Sequence, residues 1–265
     1  MGTVWDPQQY LRFNDHRTRP AQDLLARVPL EAPAQVVDLG CGPGNSTRAL
    51  KARWPQAQVT GLDNDLAMLA SARAADPQGP YASADAALWR PGPEVDLLFS
   101  NAVLQWLGDH ATLFPALLAP LRPGAVLAVQ IPGNHHAPSH TLLAETAASR
   151  SRWQAVLEPV LRPDPVLEPM DYHRLLAPLS AGLDVWETTY VQALTGEDPV
   201  LEWVRPTRLR VMQAALRTLP DGAAEAGAFE AAYAARLRTA YPQQADGSTL
   251  FPFRRIFMVA VRAGG

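Results

Sequence analysis

A short stretch of this chain, Gln35–Asn45, concentrates residues that could bind a small ligand through the main chain. Gly40, Gly42 and Gly44 occupy alternate positions, and glycine reaches backbone angles that are closed to other residues. Because glycine has no Cβ atom, a ligand can also approach the backbone closely at these positions. Asp38 shortly precedes the first glycine and would place a carboxylate beside that ligand.

The spacing of the glycines distinguishes this stretch from a dinucleotide-binding loop. That loop has the pattern G-x-G-x-x-G and seats a pyrophosphate at a helix N-terminus, whereas this chain has G-x-G-x-G after an acid. An NAD-dependent oxidoreductase is therefore disfavoured. An ordinary glycine-rich turn is the plainer alternative, but the string Asp-Leu-Gly-Cys-Gly-Pro-Gly after an apolar run favours a cofactor loop.

Two further acids end predicted strands. Asp63 ends the predicted second strand and could accept hydrogen bonds from both hydroxyls of an adenosine ribose, in NAD or in another adenosine cofactor. Alternatively, Asp63 or Asp65 caps the next helix, and Asp65 could do so while Asp63 binds. Asp85 ends a predicted third strand, Tyr81–Asp85. Because the ends of parallel strands converge where open α/β sheets bind ligands, we expect these acids to face one crevice.

Four other residues have two readings each. Met68 could lie against an adenine ring or fill the core. Cys41 could be a reactive thiol at a helix start, but a small residue filling a tight turn is the better interpretation. Tyr10 and Arg17 are in an aromatic and basic N-terminal segment, which either packs on the core or covers the ligand.

A pair of histidines, His135 and His136, raises the question of a metal site. Adjacent side chains are expected to diverge, and no further ligands with metal spacing follow them. We therefore predict loop histidines and no metal site.

The elements that must position these residues alternate between strand and helix, which predicts a parallel sheet with helices on both faces. Two later strands, within 183–191 and 254–262, would complete an α/β, Rossmann-like, seven-stranded, mostly parallel sheet with an antiparallel edge strand. The segment 198–241 reads as helical with breaks at Pro206 and Pro220, and predicts a helical cap over about 196–245. We expect a single domain over 1–265, with N-terminal helices or a lid in 1–30, a cofactor-binding core in 31–135 and a C-terminal part in 136–265.

Composition narrows the class of protein. The net charge of −3 gives no basic surface for nucleic acid. Cys41 is the only cysteine, so no disulfide can form within the chain, which is typical of a reducing compartment. Apolar runs such as 125–131 are too short to cross a bilayer, and no secretion signal is evident. We expect a cytoplasmic protein that needs neither a membrane nor a protein partner.

The glycine-rich stretch resembles motif I of the class I S-adenosylmethionine-dependent methyltransferases. In that family the loop wraps the methionine part of the cofactor, and the acid after the third strand accepts from the adenine amino group. The resemblance implies that S-adenosylmethionine is bound by Tyr10, Arg17, Asp38, Gly40, Cys41, Gly42, Asn45, Asp63, Asn64, Met68, Asp85, Ala86 and Asn101.

The chain also resembles, from Trp5 to Arg262, the trans-aconitate 2-methyltransferases. The similarity rests on Arg17–Pro20, Asp38–Thr47, Asn101–Trp106, Glu202–Val204 and Phe253–Phe257 among other stretches, while residues 151–169 and Thr207–Arg210 depart from the family pattern. The resemblance implies methyl transfer to one carboxylate of trans-aconitate or of a related di- or tricarboxylic acid.

That reaction needs alignment of two reactants and no catalytic acid, base or metal. A carboxylate is already ionised at neutral pH, and the sulfonium is already a cation. A polyanionic acceptor calls for guanidinium groups, and the C-terminal part offers Arg205, Arg208, Arg210, Arg254 and Arg255. Of these, Arg210 and Arg255 match family positions. We expect the acceptor to be bound by Gln105, Trp106, Tyr190, Trp203, Arg210 and Arg255. A class I methyltransferase for another small acceptor, and a non-catalytic S-adenosylmethionine-binding protein, stay open as alternatives.

Overall fold

A computed structural model gives the fold and describes residues 14–161 and 165–264, with side chains from Thr18 onward. Tyr10 and the Arg17 side chain, two of the predicted ligands, lie outside this description. The sheet has seven strands: β1 Gln35–Leu39, β2 Gln58–Asp63, β3 Tyr81–Ser83, β4 Leu97–Asn101, β5 Val126–Pro132, β6 Ser180–Leu194 and β7 Thr249–Arg262.

The strand order is β3-β2-β1-β4-β5-β7-β6, and the pairs from β3 to β5 are parallel. β7 runs antiparallel beside β5, with Gln130 opposite Phe257. The chain therefore reverses its direction of winding between β1 and β4, and ligands bind at such a switch point in open α/β sheets. The predicted α/β fold with an antiparallel edge is confirmed.

Ten α-helices are described, with shorter 3₁₀ and π segments between some of them. Their bounds are α1 Asn14–Ala26, α2 Asn45–Arg53, α3 Leu66–Ala75, α4 His110–Leu118, α5 Pro138–Ala148, α6 Ser151–Leu157, α7 Pro169–Leu176, α8 Pro199–Val204, α9 Arg210–Leu216 and α10 Gly222–Ala240. None of the described helices is long and apolar enough to cross a membrane.

Alternate residues of the strands separate the two faces of the sheet. Leu98 on β4, with Leu127, Val129 and Ile131 on β5, belongs to a large buried cluster that also contains Phe114 of α4. The residues between them, including Asn101 and Gln130, face the opposite side. This alternation places the side chains that matter for the site on one face of the sheet.

Some predicted elements differ from the observed ones. The segment from Pro138 to Leu157 forms two helices and not one, because the chain leaves helical geometry at Arg150 (φ −136°). Pro206 does not end its helix cleanly: the segment Arg205–Leu209 is a π-helix with a non-helical residue at Thr207. The break at Pro220 is confirmed, since α9 ends at Leu216 and α10 begins at Gly222.

The chain divides into two compact units. The first comprises the residues up to Pro132, Pro165–Thr188 and the residues from Arg255 onward. The second comprises Gly133–Asp164 and Thr189–Arg254 and holds helices α5, α6, α8, α9 and α10. The predicted single domain, and the position of its cap, stay predictions.

Candidate functional site

The turn after β1 depends on glycine at two positions for different reasons. Gly40 has a φ of 77°, and a Cβ atom there would overlap the Val103 side chain. Gly42 has a φ of 52°, but a Cβ atom there would meet nothing within 4 Å. Left-handed angles are strained for other residues at both sites. Gly40 therefore lets the turn pack against the segment after β4, whereas Gly42 leaves open space above the backbone.

Asp63 ties this turn to the end of β2. Its Oδ2 accepts a hydrogen bond from the Gly42 N–H at 2.8 Å, and its Oδ1 accepts from the Asp65 N–H at 2.9 Å. Burial raises the pKa of the Asp63 carboxyl above its ordinary value, although these N–H groups offset part of the effect. Asp65 caps α3 by accepting from the N–H groups of Ala67 and Met68. The predicted capping role of Asp65 is confirmed.

Asp38 is buried beneath the loop, and its role toward a cofactor stays a prediction. Its side chain is fully buried, and its Oδ2 accepts hydrogen bonds from the hydroxyls of Ser46 at 2.7 Å and Thr47 at 2.6 Å. Its Oδ1 has no hydrogen-bond partner among the described residues. Burial raises the pKa of Asp38 to about 6, against the opposing effect of the two hydroxyls. Asp38 thus anchors the first turn of α2 to β1 from beneath the loop.

A cavity of about 160 Å³ lies beside this turn, within the first unit. The predicted residues that line it are Gly40, Cys41, Gly42, Asn45, Asp63, Asn64, Met68, Asn101 and Trp106. Sequence reasoning missed Thr18 and Ala21, which α1 contributes, and Ala102 and Val103, which follow β4. The sequence offered the N-terminal segment as a possible cover for the ligand, but Thr18 and Ala21 are ordinary helix residues that only the packing of α1 brings to the cavity.

Two other predicted cofactor ligands, Asp85 and Ala86, do not lie at this cavity. β3 ends at Ser83, so Asp85 follows the strand instead of ending it. The Asp85 carboxylate is exposed and accepts from the Ala87 N–H at 2.9 Å, which starts a turn. Ala86 is buried in the cluster on the other face of the sheet. Neither residue lines the cavity. The prediction that Asp85 ends a strand is wrong, and the roles of both residues toward a cofactor stay predictions.

Cys41 fills the turn as a small apolar residue. It is 3% exposed and packs with Leu69, Ala72 and Tyr81. Burial raises the pKa of its thiol, and the nearby carboxylates of Asp38 and Asp63 add to the shift. The thiolate that a reactive cysteine needs is therefore disfavoured.

The segment after β4 forms another wall of the cavity. Ala102 has a φ of 59°, which is uncommon for a residue with a Cβ atom. The Gln105 Nε2 donates to the Ala102 carbonyl at 2.7 Å, so Gln105 braces this backbone. Gln105 itself does not line the cavity, whereas Trp106 does, with 48% of its surface exposed.

A buried histidine holds this segment from below. The Nε2 of His110 lies 2.9 Å from the Leu104 carbonyl, which can only accept, so Nε2 carries a hydrogen. Its Nδ1 then accepts from the Tyr172 hydroxyl on α7. The Tyr172 oxygen in turn accepts from the Leu167 N–H at 3.1 Å. This network fixes the 3₁₀ turn Leu104–Trp106 to the core.

The predicted acceptor residues are divided between the units. Gln105, Trp106 and Arg255 are in the first unit, and Arg255 is a cation only 5% exposed on β7. Tyr190, Trp203 and Arg210 are in the second unit, where the Trp203 ring packs against Phe251 and Phe253.

Two of the other arginines are engaged in structural contacts. Arg205 makes ion pairs with Glu202 at 2.8 Å and Glu230 at 2.7 Å. Arg254 donates to the Gly133 carbonyl at 3.2 Å. The two carboxylates that pair with Arg205 already balance its charge, which disfavours Arg205 as a site for a further anion.

The prediction that the side chains of His135 and His136 diverge is wrong. The rings of His135 and His136 meet edge to face with their centroids 4.2 Å apart. Ring packing between neighbours overcomes the tendency of adjacent side chains to separate.

Comparison with known proteins agrees with this geometry. A profile of the methyltransferase domain family matches residues 36–124, which include the glycine turn and β1–β4. A trans-aconitate 2-methyltransferase of Azoarcus sp. (strain BH72) is 52% identical over 259 residues, covering 98% of this chain and 99% of that protein. A trans-aconitate 2-methyltransferase of Streptomyces avermitilis is 50% identical over 265 residues, covering 97% of this chain and 96% of that protein.

A solved structure supports the fold. Phosphoethanolamine N-methyltransferase 2 of Haemonchus contortus, in complex with phosphomonomethylethanolamine and S-adenosylhomocysteine, matches with a TM-score of 0.54 and 16% sequence identity. The match covers 93% of this chain and 53% of that one, so this chain spans about half of its length. The sheet order, the glycine turn and the near full-length similarity agree. The chain is a methyltransferase and belongs to the trans-aconitate 2-methyltransferase family of class I methyltransferases.

Proposed function

We propose that this protein transfers the methyl group of S-adenosylmethionine to one carboxylate of trans-aconitate or of a related small di- or tricarboxylic acid. The products are a monomethyl ester and S-adenosylhomocysteine. The observation that carries the proposal is the 52% identity to a trans-aconitate 2-methyltransferase along 98% of this chain.

The residues around the cavity fit an adenosine cofactor with an amino-acid tail. Each Asp63 oxygen accepts one backbone N–H, and an ionised carboxylate can accept about four hydrogen bonds, so capacity for two ribose hydroxyls is left. The open space above Gly42 suits close approach of the methionine part. Met68, which is 5% exposed at the cavity, suits the adenine ring. Asn45, Asn64 and Asn101 supply the remaining polar contacts.

The acceptor needs no activation by this chain. Its carboxylates are ionised near neutral pH, since their reference pKa is about 4. When bound, S-adenosylmethionine supplies a methyl group on a positively charged sulfur; a carboxylate oxygen takes that methyl while the C–S bonding pair stays on sulfur, and no proton moves. The task of the protein is to hold both reactants in line, which can supply roughly 7–11 kcal/mol of the barrier.

Arg210 and Arg255 are assigned to the acceptor's other carboxylates, because a guanidinium fork matches a carboxylate in both geometry and charge. Arg255 is only 5% exposed, so a carboxylate bound to it would be shielded from water, where the attraction between the charges is stronger. Gln105, Trp106, Tyr190 and Trp203 are assigned to shaping the acceptor site.

The test is to incubate the purified protein with isotopically labelled S-adenosylmethionine and a panel of carboxylic acids. The panel should contain trans-aconitate, cis-aconitate, citrate, a dicarboxylate and a monocarboxylate. Mass spectrometry should find a labelled monomethyl ester, with the highest kcat/KM for trans-aconitate. Ester formation from the monocarboxylate alone, or donor binding without any product, would contradict the proposal.

We also infer that the reaction takes place in the cytoplasm without an obligatory protein partner. The single buried cysteine supports this, since the described chain does not depend on an oxidising compartment for its stability.

A further inference from the structure

One buried amide is unexplained by the fold. The side chain of Gln130, on β5, is 0% exposed, and neither its Nε2 nor its Oε1 has a hydrogen-bond partner among the described residues. Burying an amide without a partner costs about 1–3 kcal/mol. Native proteins rarely leave both ends of such a group unpaired, so each case needs a specific reason.

The position of Gln130 supplies that reason. Gln130 is the register partner of Asn101 on the parallel strand β4, so the two side chains lie next to each other on the same face. Val129 and Ile131 point into the cluster on the other face. Asn101 lines the cavity, and its Oδ1 is also buried without a partner in the described chain.

A third amide in the same region, that of Gln105, also has a buried oxygen without a hydrogen-bond partner in the described part of the chain. The Oε1 of Gln105 is buried and has no partner among the described residues, although its Nε2 is bonded. The ends of β4 and β5 therefore gather three neutral amides with unused hydrogen-bonding capacity: Asn101, Gln105 and Gln130. A polar ligand that enters at Asn101 could use this capacity.

We propose that Gln130, which lies beside the predicted cofactor residue Asn101, binds the carboxylate that is methylated and is an acceptor-binding residue of the enzyme. The inference rests on the proposed carboxyl methylation. Gln130 is fully buried in this structure, so the acceptor reaches it only when side chains around it move. Gln130 then donates from its Nε2 to the reacting carboxylate.

Neutral amides suit this carboxylate better than an arginine does. Methylation removes the negative charge of the reacting group, so a cation beside it stabilises the starting carboxylate more than the transition state. An interaction that is stronger in the ground state slows the chemical step. An amide N–H orients the carboxylate through a weaker, uncharged donor. The guanidinium groups are better placed on the carboxylates that do not react.

The experiment replaces the amide with an apolar side chain of similar size, Gln130→Met. We expect kcat/KM for the acceptor to fall by about tenfold or more, from loss of a hydrogen bond to a charged group. The affinity for S-adenosylhomocysteine, measured by calorimetry, should stay within about twofold of the unmodified protein. The melting temperature should stay equal or rise, because the substitution removes an unsatisfied buried amide. A core glutamine without a function would give the same stability result but leave kcat/KM unchanged.

Two further variants complete the design. Gln130→Asn keeps the amide but shortens the side chain. Its kcat/KM should lie between the values of the unmodified protein and of Gln130→Met. Thr146→Val is the matched control: Thr146 is fully buried on α5 and donates only to the Leu142 carbonyl of its own helix, so its loss should not change the kinetics.

The outcomes separate the two proposals. If the unmodified protein esterifies polycarboxylic acids and Gln130→Met retains its kcat/KM within about twofold, the inference about Gln130 is wrong and the proposed function stands. If the unmodified protein esterifies no carboxylic acid, both are wrong.

Discussion

Two edges of the sheet around the cavity, the ends of β1 and β2 and the ends of β4 and β5, are built in different ways. At the first edge the backbone supplies the hydrogen bonds, with Gly42 and Asp65 donating to Asp63. At the second edge side-chain amides lie buried with unused capacity, at Asn101 and Gln130. The Asp63 carboxylate of the first edge is already hydrogen-bonded within the chain, whereas the second edge has buried amide groups without partners among the described residues.

This difference fits the two reactants. One cofactor serves the whole superfamily, so a site made of backbone and one acid is sufficient for it. Acceptors differ, and side chains are the parts of a fold that can change without altering the chain path. If the two edges serve different reactants, substitutions at the first edge should affect the donor and substitutions at the second should affect the acceptor.

At the first edge, Gly40 should not tolerate replacement by a residue with a side chain. Gly40→Ala would strain a φ of 77° and overlap Val103, so we expect a loss of about 2–5 kcal/mol in the free energy of unfolding. Gly42→Ala is the matched control, since it strains φ but meets nothing within 4 Å, and should lose only about 1–2 kcal/mol. Urea denaturation measures both. Equal losses would mean that the packing against Val103 is unimportant.

The buried acid beneath the first edge should make stability depend on pH. Because burial raises the pKa of Asp38 to about 6 in the folded state, the folded protein holds this proton more tightly than the unfolded chain. The contribution of Asp38 to stability is therefore present at low pH and is lost as the pH rises from about 4 to about 6, by up to about 3 kcal/mol.

The variant Asp38→Asn isolates this effect, because an amide does not titrate. The free energy of unfolding of the unmodified protein minus that of the variant should fall between pH 4 and pH 7. A difference that is constant over this range would show that Asp38 has an ordinary pKa.

Asp63, the acid at the centre of the first edge, should affect the binding of the donor and not that of the acceptor. Asp63→Ala removes the acceptor for the Gly42 N–H and the proposed acceptor for the ribose hydroxyls, so we expect the affinity for S-adenosylhomocysteine to fall by about 10- to 100-fold. Calorimetry measures the change, and Asp246→Ala, in an exposed loop, is the control. An unchanged affinity would remove Asp63 from the donor site.

The smallest effect is expected beneath the second edge. Tyr172→Phe removes a hydroxyl that bonds both His110 and the Leu167 N–H, and should cost about 1–2 kcal/mol in the free energy of unfolding. The acceptor KM should change more than the donor affinity, because the turn that Tyr172 supports carries Trp106. A change in donor affinity alone would show that this network serves the first edge.

Much of the first edge could be predicted from the sequence. Its glycines and Asp63 lie close together along the chain, and a glycine pattern reports the backbone directly. The end of β2 at Asp63 was also predicted correctly, because buried parallel strands are short apolar runs. Asp85 was misplaced because β3 is only three residues long, and so short a strand gives little periodic signal.

By itself, the sequence determined the order of strands and helices, the tight turn after β1 and the family to which the chain belongs. These depend on local pattern and on similarity along the chain. Only the tertiary structure decided that Asp38 lies beneath the loop, that α1 brings Thr18 and Ala21 to the cavity, and that Gln130 stands beside Asn101. The physical reason is that burial and register arise from packing between segments far apart in the chain, and a residue's own neighbours in sequence do not record them.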